Sequence, residues 1–95
     1  MSYLKSQNGK IVIFMYKIAS VRVEEVTRPS FDGEHHLGKN YSYRICVIAE
    51  GCEINMGSYT DENSAITVIN EIINRISKDK SYHIPVKVGY DNYEV

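Results

Sequence analysis

Residues 41 to 59 alternate apolar and polar side chains on both sides of Glu50-Gly51, and this double alternation restricts the fold more than any other feature of the chain. With Glu50 and Gly51 as a two-residue turn, Tyr43, Ile45, Val47, Ala49, Cys52, Ile54 and Met56 share one face, because successive side chains of a strand point to opposite sides. Arg44, Cys46, Ile48, Glu53 and Asn55 share the other. One register thus sorts a hairpin into an apolar inner side and a mixed outer side, and the inner side needs a cover.

The following residues supply one. Gly57 breaks the strand, and Thr60 is placed to cap a helix by accepting a backbone N–H from the first turn. Ala65, Ile66, Ile69, Ile72, Ile73 and Ile76 then recur at helical spacing and predict an amphipathic helix over 61–77. Asp61 and Glu62 lie at its positive end, with Arg75 and Lys78 at its negative end.

Upstream, Asn8-Gly9 between Tyr3–Gln7 and Ile11–Phe14 is a strong signal for a type I′ hairpin. That turn sets Leu4 against Ile13, Ser6 against Ile11 and Tyr3 against Phe14. Val21 and Val23 alternate with Arg22 and Glu24, which predicts a third strand over 19–26. Between Thr27 and Asn40, Arg28-Pro29, Asp32-Gly33 and Gly38 predict a long polar loop. Downstream of the helix, Tyr82 to Tyr90 is rich in aromatic and β-branched residues, and Pro85 limits it to an edge strand or an extended arm. The expected fold is α+β: one domain over residues 1–95, with a curved antiparallel sheet of four or five strands in 1–59, one helix over 61–77 and an extended tail over 81–95.

A chain of 95 residues supports one core, burying roughly two-thirds of its unfolded surface. Apolar residues at 43% and charged residues at 24% are ordinary globular usage and argue against disorder. A net charge of -1 supplies no overall field to attract nucleic acid, which makes such a partner unlikely. No apolar run reaches the roughly 18 residues of a membrane span, and no leader-like segment opens the sequence. These features read as a cytoplasmic protein without a membrane partner.

The residue types that carry chemistry are sparse and scattered. Cys46 and Cys52 fall on different faces of the hairpin, so both are expected to be free thiols. His35, His36 and His83 lack the paired spacings of a zinc site, and neither a metal nor a cofactor is expected. Glu24-Glu25 point to opposite strand faces, while Asp61-Glu62 suit a helix start without catalytic duty. Phosphate loops and nucleophile elbows are missing from the sequence. No catalytic residue is assigned, and the chain is not expected to be an enzyme.

Met56-Gly57-Ser58-Tyr59-Thr60-Asp61-Glu62-Asn63-Ser64-Ala65 followed by Val68-Ile69-Asn70-Glu71-Ile72, together with the opening Tyr3 to Gly9, resembles a family of small proteins from Firmicutes and their prophages. In these a strand ending in Leu-Gly-x-Tyr runs into a Thr-capped helix; here Met56 stands in the Leu position. The resemblance implies a compact sheet-plus-helix accessory protein of a phage or mobile element, with no activity to inherit.

The tyrosines, 8 in all, exceed the needs of one small core and suit surfaces that are apolar with one polar tip. They point to a non-catalytic binding protein, in the mobile-element setting one that occludes a host protein such as a defence or regulatory factor. Tyr41, Tyr43, Arg44, Tyr82, Tyr90 and Tyr93 are the candidate contact residues, with Arg28, His35, His36 and Lys39 as loop candidates. The alternative is an oligomeric sponge for a small nucleotide-like ligand, stacking it on Tyr and holding it with Arg28, Arg44 or Lys39. Self-association through the tail or an open sheet edge is a further expectation, as is docking of the tail on its own chain.

Overall fold

The computed structural model describes residues 1–32 and 35–88, and the backbone alone in 28–32 and 35–40. Strands β1 (Tyr3–Lys5) and β2 (Val12–Phe14) pair in the expected register, with Leu4 opposite Ile13 and Tyr3 opposite Phe14. The turn between them differs from the type I′ expectation. Only Gly9 takes a positive φ, and its N–H donates to the Ser6 carbonyl at 2.9 Å. Asn8 Oδ1 accepts from the Ser6 hydroxyl at 2.8 Å and from the Lys10 N–H at 2.9 Å. Side-chain oxygens thus take over bonds that a two-residue turn would make with the backbone. The register survives because the Ser6 N–H still donates to the Ile11 carbonyl at 2.8 Å.

A short 3-10 turn at Met15–Lys17 redirects the chain into β3 (Ile18–Asp32), which pairs antiparallel with β4 (His35–Ala49). The long loop expected over Thr27 to Asn40 is instead the continuation of this ladder, from Thr27 opposite Tyr41 to Asp32 opposite His35. Its polar composition misleads because a strand pair needs an apolar face only where something packs on it; elsewhere backbone pairing suffices. Pro29 is tolerated because β3 is an edge strand.

The hairpin from β4 to β5 (Cys52–Tyr59) turns at Glu50 and Gly51, both at positive φ, and sets Ala49 opposite Cys52 and Cys46 opposite Asn55 as expected. A register shift follows: Ile45 faces Gly57 rather than Met56. This bulge lets Met56 and Tyr59, an odd number of residues apart, both enter the core. Cys52, assigned to the inner face, is exposed beside the turn.

Helix α1 (Glu62–Ser77) lies across the β3-β4-β5 sheet. Asp61, not Thr60, is its cap: the Asp61 carboxylate accepts the Ser64 N–H at 2.9 Å and the Ser64 hydroxyl at 2.7 Å. These bonds hold its pKa below the ordinary Asp value. The buried face is Ala65, Val68 and Ile72, with Ile69 partly covered. Ile66, Ile73 and Ile76 are exposed, so only part of the expected Ile stripe is core.

The described part of the tail, up to Val88, docks on its own chain. Strand β6 (Tyr82–His83) pairs parallel with β1, and the Ile84 N–H donates to the Lys5 carbonyl at 3.0 Å. Ile84 is fully buried among Leu4, Ile45, Met56 and Ile72. Instead of one sheet of four or five strands, the described residues form two of three, in the orders β2-β1-β6 and β3-β4-β5. They meet where the Gln7 N–H donates to the Met56 carbonyl at 2.8 Å. No described helix is long and apolar enough to cross a membrane.

Candidate interaction surface

Among the described residues, the outer face of β3-β4-β5 gathers a dense set of ionisable groups. Arg22 pairs with Glu53, and Arg44 Nη1 lies 3.2 Å from Glu24 Oε1. Cys46 sits among them, only 3% exposed although it points outward. Its thiol donates to Glu24 Oε1 at 3.6 Å. Burial, then the Glu24 carboxylate, pushes its pKa up to about 11. The ligand atoms of Glu24, Cys46 and Glu53 lie within 4.8 Å of one another, yet both carboxylates already bind arginines and the thiol is held neutral. A neutral thiol is a poor nucleophile and a poor ligand. The cluster is a cross-strand lattice that pins three strands together.

A junction of another kind forms around Gln7. Its side-chain Oε1 accepts the Ser58 N–H at 3.2 Å, and its Nε2 donates to the carbonyls of Ser58 at 3.1 Å and Pro85 at 3.2 Å. The Tyr59 phenol also donates to the Pro85 carbonyl, and burial raises its pKa to about 12. One amide thereby ties together the N-terminal hairpin, β5 and the tail.

Apart from Met1, Tyr41 and Val86, the exposed large apolar side chains among the described residues form two groups. The first belongs to β1, β2 and the 3-10 turn: Tyr3, Phe14 and Tyr16 are 40%, 42% and 69% exposed, and Val12 lies on the same strand face as Phe14. Alternation puts Leu4 and Ile13 in the core and turns Tyr3 and Phe14 to solvent. The Phe14 and Tyr16 rings stack with centroids 6.3 Å apart, and Lys17 Nζ lies 5.9 Å from the Tyr16 centroid. The second group is Ile66, Ile73 and Ile76 on α1, and between the last two and Ile18, Ala19 and Val21 of β3 runs an apolar groove of about 370 Å³.

The residues singled out in the sequence do not converge. Tyr41 is exposed, Tyr43 and Arg44 are half-buried, and Arg44 is held by Glu24. Tyr82 is half-buried beneath Arg75, whose guanidinium carbon lies 4.8 Å from the ring centroid. Arg28, His35, His36 and Lys39 have their backbone in the β3–β4 ladder rather than in a loop, and their side chains fall outside the described residues. Tyr90 and Tyr93 also lie outside them. The reading of the tyrosines missed Tyr3 and Tyr16 as surface residues, although the Tyr3–Phe14 pairing carried the signal: once Leu4 and Ile13 are inward, their neighbours must be outward. Comparison with protein-family models, curated proteins and solved structures finds no match for the chain.

Proposed function

We propose that this chain is a non-catalytic binding protein that acts by covering the surface of another protein, in the mobile-element setting a host factor. The exposed cluster of Tyr3, Phe14 and Tyr16 carries the reading. Large rigid aromatics supply contact area at low cost in side-chain entropy, and they are enriched at the centres of protein interfaces. Here Tyr3 and Phe14 stand on a strand pair whose other face is core and Tyr16 stacks on Phe14 from the adjoining 3-10 turn, so their positions are preset rather than ordered on binding. Occlusion needs no bond to be made or broken, only a rigid apolar face of this kind.

The sponge reading has one observation behind it, a groove of about 430 Å³ lined by Thr67, Glu71, Arg75, Tyr82 and Lys87 among others. Arg75 already covers the Tyr82 ring and is itself held by Glu71 and the Ser81 carbonyl. The ring face that a base would stack on beside these cations is thus already taken by Arg75, and protein contact is the stronger reading.

A photo-crosslinking amino acid placed at Tyr16 in the native host tests it, with one at Asn70 on the solvent side of α1 as the control. The expected result is a discrete heterologous adduct from position 16 that is absent from position 70 and lost in Phe14→Ser. No adduct at 16, or the same set at both positions, rejects the reading.

A further inference from the structure

We infer that the chain forms a two-fold symmetric dimer in which β3 pairs antiparallel with β3 of a second copy, joining the two β3-β4-β5 sheets edge to edge. Among the described residues no strand pairs with the outer edge of β3. An open edge of this length attracts a further strand unless something blocks it. Beside it, Ile73 is 52% exposed and Ile76 lines the apolar groove with Ile18, Ala19 and Val21.

Charge selects the occupant. A two-fold axis perpendicular to the sheet matches outer-face residues with outer-face residues, so an axis at Val23 sets Arg22 opposite Glu24 of the second copy, and Glu24 opposite its Arg22. Moving the axis by one residue in either direction puts Arg22 against Arg22 or Glu24 against Glu24. Directly opposed like charges oppose pairing and opposite charges favour it. The edge is therefore self-complementary in one register and repulsive in its two neighbours. Both side chains retain the exposure to make the contact: they pair with Glu53 and Arg44 within the chain but stay 46% and 40% exposed. The same operation brings the two α1 helices to one side of the joined sheet, where each Ile73 and Ile76 flank closes over the groove.

Sedimentation velocity over a range of concentrations, with circular dichroism to check folding, tests the dimer. The wild-type chain should be dimeric, and Ile73→Lys folded but monomeric. Arg22→Glu and Glu24→Arg should each associate roughly tenfold or more weakly, because each places only like charges across the axis. Their equimolar mixture should recover a heterodimer, an outcome that no purely structural role of either residue produces. A wild-type chain monomeric at every concentration overturns the inference. So do an Ile73→Lys chain that stays dimeric and a mixture that fails to associate.

Discussion

Gly57 illustrates what a single residue decides in this chain. It sits in the β5 bulge at φ 154°, and a Cβ built on it would lie 2.7 Å from the Gln7 Cβ. The neighbour is the root of a side chain whose amide makes four bonds, so it has nowhere to move. Gly57→Ala should therefore destabilise the fold by about 2 to 4 kcal/mol, combining backbone strain with a steric displacement. Urea titration against the wild type checks this, and an unchanged midpoint would show that the bulge is soft. The sequence marked Gly57 as a strand breaker, but β5 runs through it to Tyr59 and only bulges there. What Gly57 provides, room for Gln7, depends on a residue fifty positions away in sequence and is invisible to any local rule. Cys46 is similar: alternation placed it outward, and only the arginine and glutamate side chains of neighbouring strands bury it.

At the scale of the element, the helix shows where periodicity is informative and where it stops. Six apolar residues at helical spacing were enough to locate α1 within a residue at its start, and the cap fell one residue later than expected because Asp61 reaches Ser64 with both carboxylate oxygens. The buried arc is nonetheless rotated from the Ile stripe toward Val68, because the bulge admits Met56 and the tail adds Ile84 to the core. This rotation gives paired expectations for substitution. Ile72→Ala, at a fully buried position, should cost about 2 to 5 kcal/mol, whereas Ile66→Ala, exposed and away from the groove beside β3, should change stability by less than about 0.5 kcal/mol. Ile69, only partly covered, should fall between them. Thermal or chemical unfolding of the two end members decides: equal costs would place the helix in a different rotation about its axis.

For the whole molecule, the tail is the deciding element. Ending the chain after Lys80 removes β6 from the edge of β1 and takes Ile84 out of the core. That truncation should lower stability by at least about 3 kcal/mol, in line with the loss of a large buried aliphatic side chain. A truncated chain as stable as the full one would mean that the tail only rests on the surface. Local rules along the chain were enough for the short-range features: both hairpin registers near their turns, the helix and its polarity, the two unpaired thiols and the exclusion of Pro85 from a central strand. Each of these follows from alternation, caps or φ preference, which act over a few residues. The division of the strands into two sheets, the continuation of a ladder through Thr27 to Asn40 and the completion of the core by Ile84 of the tail arise in three dimensions. Those outcomes depend on which edges and apolar faces remain unsatisfied after the local elements have formed, a condition set by the folded molecule as a whole and written in no single segment.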